Sequence, residues 1–168
     1  MTQMASKTKG TPAFKVGDNV VYPTQGAGRI IGQVEKIVAG EAKQYFEIEL
    51  MKGSMRVNVP VDRPEAVGLR RITDAKRIPG LLGELKTNLE LPEGWTPRHR
   101  REQQLLAEGD IFVIAQLVGT LSRRDFEKPL SVTERRIMDE ARHMVATEVA
   151  MATGVSVEEA DERIGKAL

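Results

Sequence analysis

The segment Gly94-Trp95-Thr96-Pro97-Arg98-His99-Arg100-Arg101 places the only tryptophan of the chain beside three arginines. These residue types can bind nucleic acid. Guanidinium groups and the free amides of a helix N-terminus hold phosphate oxygens. A flat indole can stack on a base or wedge into a base step. Trp95, Arg98, Arg100 and Arg101 are therefore the candidate DNA contacts. The competing assignment packs the indole onto its own helices and leaves the arginines in solvent, and the pattern alone leaves both open.

No second constellation of this kind is found. His99 and His143 are far apart, and neither has a carboxylate or another histidine at metal-ligand spacing. The chain contains no cysteine, which removes thiol catalysis, thiolate metal sites and disulfides and suits a reducing cytoplasm. Ser122, Ser131 and Ser156 fall at helix ends or turns, where capping accounts for them. Gln25-Gly26-Ala27-Gly28 lacks the lysine of a phosphate-binding loop, and no helix follows it. No catalytic residue, metal or cofactor is expected. The net charge of +1 hides an asymmetry: residues 1–73 carry 11 basic and 7 acidic side chains, residues 74–168 carry 14 and 17. Contact with DNA must therefore come from a local patch rather than from bulk charge. No apolar run is long enough to span a membrane. Residues 1–13 lack the apolar centre of a secretory signal and read as a flexible tail.

The elements that must position these groups have two different periods. Residues 14–60 read as strands, with short alternating runs closed by turns at Gln25–Gly28, Ala39–Glu41 and Lys52–Ser54. Phe46, Ile48 and Leu50 alternate with Tyr45, Glu47 and Glu49; Met55, Val57 and Val59 alternate with Arg56 and Asn58, and Pro60 ends the run. Four or five strands of this length predict a small bent sheet or barrel, with an edge open to a partner's strand. From residue 74 the period is helical. Asp74 caps a first helix through Leu85, interrupted or kinked near Pro79-Gly80. Thr96 and Pro97 read as N-cap and first helical residue of a second, which ends at Gly109. Asp110 caps the third, Ser131–Glu134 is a capping box for a long fourth ending at Gly154, and Ser156–Glu159 opens a short fifth. The overall expectation is an α+β chain: a tail over 1–13, a β domain over 14–72, and a bundle of about five helices over 73–168.

The run from Phe14 through Val16-Gly17-Asp18 and Val20-Val21-Tyr22-Pro23 to Gln25-Gly26-Ala27-Gly28 resembles the opening of the CarD/CdnL transcription regulators. Val57-Asn58-Val59-Pro60-Val61, Val67-Gly68-Leu69-Arg70 and Trp95-Thr96-Pro97-Arg98-His99-Arg100 resemble further family segments, in the family's order. The opening is shared with the polymerase-binding module of the transcription-repair coupling factor; the helical half with its tryptophan is not. The resemblance implies a Tudor-like or SH3-like β-barrel that binds the β subunit of RNA polymerase, in holoenzyme with its principal sigma factor. It also implies a helical domain whose tryptophan, here Trp95, enters promoter DNA at the upstream edge of the bubble and stabilises the open complex. The polymerase contacts it implies are Lys36, Met55, Arg56, Val57, Asn58 and Pro60. Asn58 stands where some members carry arginine, and Pro97 where relatives carry a basic residue, which leaves Arg98 and Arg100 as the phosphate contacts. A cytoplasmic monomer with no membrane partner and no enzymatic activity is expected. A helical half that docks another protein instead of DNA is the alternative.

Overall fold

The computed structural model describes residues 14–23 and 25–168; the tail expected over 1–13 lies outside them. Five antiparallel strands come first: β1 (Asn19–Tyr22), β2 (Gly26–Val38), β3 (Glu41–Leu50), β4 (Arg56–Pro60) and β5 (Arg70–Arg71), in the order β4-β3-β2-β1-β5. No ladder joins β5 back to β4 among the described residues, so β4 is an edge. The alternation seen in the sequence sets the faces. Phe46, Ile48, Leu50 and Val59 point inward with Val20, Ile30 and Leu69 to form the smaller apolar core. A register shift between Ile30 and Gly32 marks a bulge in β2, which lets the strand bend over that core.

The β2–β3 hairpin turns on two residues, with Val38 paired to Glu41 and Ala39 and Gly40 at φ of 54° and 82°. Positive φ at both positions is the turn type that matches the strand twist. Glycine adopts it freely; Ala39 does so under strain.

Five α-helices follow: α1 (Ile78–Gly83), α2 (Trp95–Glu108), α3 (Ile111–Glu127), α4 (Val132–Thr153) and α5 (Val157–Ala167). The first differs from expectation. Asp74 caps a short 3₁₀ turn, Ala75–Arg77, and Pro79 stands at the start of α1, where its missing N–H costs nothing, so no kink forms. The α3 face Ile114, Leu117, Val118 and Leu121 and the α4 face Ile137, Ala141, Met144, Val145 and Val149 meet in the larger core. A Cβ on Gly119 would overlap the Leu85 carbonyl, so glycine is what lets α3 lie against the turn after α1. Asp110, Ser131 and Ser156 accept hydrogen bonds from the backbone N–H groups of Phe112, Glu134 and Glu159, capping α3, α4 and α5 as expected.

No residue belongs to both apolar clusters. The sheet meets the bundle mainly where β2 lies against α4, with Gly26 against Thr147, and where the chain leaves β5.

Candidate nucleic-acid interface

Helix α2 begins one residue before the expected cap. Gly94, with extended backbone, is the N-cap and makes no side-chain capping bond; Trp95 is the first helical residue. Pro97 falls third, still among the N–H groups that lack an intrahelical acceptor. Trp95 is 40% exposed. Its ring is stacked on His99, one helical turn on, at a centroid distance of 4.9 Å and 28° between planes. The Arg98 guanidinium also lies over the indole, 5.4 Å from its centroid. The indole is thus held in place yet offers surface to solvent.

Arg98 does not occupy the position foreseen for a phosphate contact. It is only 8% exposed. Nε and Nη2 donate to the two carboxylate oxygens of Glu134 on α4, at 2.8 and 3.3 Å, and Nη1 donates to the Glu93 carbonyl at 2.7 Å. This is a bidentate pair, the strong form of arginine–carboxylate contact. It ties the first turns of α2 and α4 together beneath the tryptophan. The Glu134 side chain, which a capping box would turn back to its own helix, is used here instead. Arg100 is exposed and has no ion-pair partner among the described residues; Arg101 is half-buried and donates to Gln104 at 3.0 Å. At about 100° per residue Arg100 and Arg101 stand roughly 140° and 120° around the helix from Trp95, in opposite senses.

A second carboxyl group sits under this pair. Glu102 is fully buried, and among the described residues no donor reaches either oxygen; Arg98 Nε, at 3.8 Å, is beyond hydrogen-bond range. Burial, reinforced by the Glu134 carboxylate, pushes the Glu102 carboxyl up to about 8. At neutral pH it therefore keeps its proton and can donate it to Glu134. Burial works to raise Glu134 as well, but the hydrogen bonds from Arg98 and Glu102 outweigh it and hold that group below the usual carboxylate range. The Glu134 hydrogen bond in turn raises Arg98.

Beside Trp95 is an open groove of about 700 Å³ whose further lining includes Arg124, Lys128, Ser131 and Thr133. Arg124 and Lys128 carry no local sequence signal for this corner, because they reach it only through packing of the α3–α4 turn.

The residues assigned to polymerase gather on the sheet. Arg56 and Asn58 of β4 oppose Glu49 and Glu47 of β3 on the outer face, while Val59 is buried and Val57 partly so. Arg56, largely exposed, lies 3.5 Å from Glu47 and 4.0 Å from Glu49. Lys36 belongs to the same face: it pairs across with Lys43 and lies 6.0 Å from the Tyr45 ring. Met55 is exposed just before β4, and Pro60 ends it.

Among the described residues no group of three or more possible metal ligands occurs, and no helix is long and apolar enough to cross a membrane. Comparison with known proteins gives the class. Residues 14–73 match the CarD-like/TRCF RID domain, and residues 81–165 match the CarD C-terminal domain. These are the two parts of a transcription factor with an RNA polymerase-interacting domain. The chain belongs to the CarD/CdnL family. It is 30% identical to YdeB of Bacillus subtilis, a candidate transcription factor, over 85% of this chain and 94% of that one. It is 35% identical to CdnLNt from Myxococcus xanthus, covering 37% of this chain and 87% of that one with a TM-score of 0.31. The 72-residue N-terminal domain of Myxococcus xanthus CarD is 28% identical, covering 42% and 93%, also with a TM-score of 0.31.

Proposed function

We propose that residues 14–72 bind the β subunit of RNA polymerase through β4 and the outer face of the sheet, within holoenzyme carrying the principal sigma factor. Residues 73–168 then hold promoter DNA, and Trp95 wedges into it at the upstream edge of the bubble. The protein acts as a monomer, without cofactor or catalysis. Its combined contacts favour the open complex over the closed one, and ~1.4 kcal/mol of preference shifts that equilibrium about tenfold. The observation that carries this reading is Trp95: a lone tryptophan, 40% exposed, backed by a buried ion pair that fixes its helix. Arg100 and Arg101 are the proposed phosphate contacts; Arg98 is reassigned from phosphate binding to supporting the ring.

Two variants test it in one set of measurements: thermal unfolding, affinity for the isolated β lobe and open-complex lifetime. Trp95→Ala is expected to unfold nearly as the parent does, bind the lobe equally, and shorten the lifetime by an amount equivalent to roughly 1–3 kcal/mol of lost stacking. Arg56→Glu is expected to lose lobe affinity with an unchanged circular dichroism spectrum. An unchanged lifetime for Trp95→Ala would sink the wedge and favour a helical half that docks protein; unchanged affinity for Arg56→Glu would sink the placement of the polymerase contact.

A further inference from the structure

The carboxylate of Glu148, near the end of α4, is 1% exposed and belongs to the bundle, yet the donors it meets come from the chain leaving the sheet. Arg70 Nη1 and Nη2 donate to its two oxygens, both at 2.8 Å. Thr73 donates from its backbone N–H at 2.9 Å and its hydroxyl at 2.6 Å. The same Arg70 Nη2 reaches the carbonyl of Gly109, the C-cap of α2, at 3.4 Å.

These bonds fall at a telling place. Helix α2 carries Trp95 at its first residue and ends where Arg70 touches it. Helix α4 is joined to α2 beside Trp95 by Glu134–Arg98, and to the sheet by Glu148–Arg70. Two helices are therefore tied at one end under the tryptophan and at the other end to β5. The 14 residues of α2 give a lever of about 21 Å. A rotation of 10° at its base would move the indole by roughly 4 Å, more than the ~3.4 Å thickness of a base step. Interfaces between domains of one chain permit relative motion unless they are large and apolar, and here the two apolar clusters do not merge.

We infer that Glu148 and Arg70 form a positioning pair that fixes where Trp95 stands relative to the polymerase-binding sheet. This rests on the wedge reading given above. A tether raises the local concentration of the wedge at the bubble edge only when the link holds it there. The pair touches neither partner in this account; it acts through the helices it holds.

The test uses the full chain. Because the sequence has no cysteine, Glu65→Cys and Glu162→Cys, both at exposed positions, accept a pair of spin labels for distance measurement between sheet and bundle. In the parent background a narrow distance distribution is expected. Glu148→Gln should broaden it about twofold and shorten the open-complex lifetime by on the order of tenfold, with unchanged β-lobe affinity. A purely structural role would lower the melting temperature without broadening distances in the folded protein. An unbroadened distribution, or a broadened one with a normal lifetime, overturns the inference. Where Glu148→Gln fails to fold, the double variant Arg70→Met/Glu148→Met, which leaves no buried charge unpaired, is read by the same three measurements. Trp95→Ala serves as the comparator: a normal lifetime there means that the wedge reading has failed, whereas a short lifetime there with a normal one for Glu148→Gln means that only the positioning pair has.

Discussion

Replacing Glu102 by glutamine separates the electrostatics beneath Trp95 from everything around it. In the fold the Glu102 carboxyl holds its proton up to about 8, against an ordinary value of 4.5. Folding in that window takes up a proton, so the contribution of this group is fully present below pH 4.5 and declines as pH rises through 8. At about 1.4 kcal/mol per unit, the cost at pH 7 relative to pH 4.5 is roughly 3 kcal/mol. Glu134 runs the other way: held low, it stabilises the fold above the ordinary carboxylate value and loses that contribution as pH falls through its depressed one. Glutamine keeps the shape and a donor for Glu134 at every pH. Urea unfolding of parent and Glu102→Gln at pH 5, 6, 7 and 8, followed by the fluorescence of the single tryptophan, measures the difference. The two should be nearly equal at pH 5, with the variant more stable by a growing margin above it. Parallel stability profiles across that range would refute the protonated Glu102.

Arg98→Met should destabilise the protein by roughly 3–5 kcal/mol, because it strands the buried Glu134 carboxylate; an unchanged melting temperature would return Arg98 to the surface role that the sequence suggested. Ala39→Asn should raise stability by about 1 kcal/mol, since asparagine tolerates the left-handed backbone that alanine adopts there under strain; a drop in melting temperature would show that the hairpin tip is not held in that turn. The isolated protein should bind random duplex weakly, at roughly 10⁻⁴ M or poorer at physiological salt, because the helical half is net acidic and its arginine cluster neutralises only a few phosphates; submicromolar binding in a fluorescence anisotropy titration would contradict this.

The parts of the fold that were legible in sequence are those decided locally. The alternation around Phe46, Ile48 and Leu50 fixes which face of β3 is inward, and Ser131, Ser156 and Asp110 cap the helices they precede. The bulge in β2 has one local signal, Gly32 inside a strand run rich in Ile and Val, and a lone glycine there suggests a bulge without fixing which residue goes unpaired. The start of α2 was misplaced because proline fits any of the first helical positions, so Pro97 does not select one. The burial of Arg98 is not legible for a deeper reason. Next to a tryptophan and two other arginines it has the composition of a phosphate site, and its partner Glu134 lies 36 residues away. Short-range pattern identifies the charge; only packing shows whether that charge faces solvent. Arg70 shows the same limit: it stands in a segment that carries the family resemblance, which says nothing of its partner, and its carboxylate is 78 residues distant.

Arg70 and Arg98 each join elements distant in sequence through a bidentate carboxylate on α4, and they grip that helix near opposite ends. For stability alone this is a poor use of charge, since apolar residues of similar volume often hold a fold as well or better than a buried ion pair does. What an ion pair adds is a single allowed geometry: the planar fork of arginine meets a carboxylate in one orientation, whereas apolar surfaces slide. Near Trp95 that property fixes the ring's helix against α4; at Glu148 it fixes α4 against the sheet. Under the proposed function, one aromatic side chain is held at one place on DNA while the sheet is bound to polymerase, and that arrangement needs orientation more than it needs another kcal/mol. The double variant Arg70→Met/Glu148→Met puts stability and orientation in opposition: it should retain or gain melting temperature and still shorten the open complex.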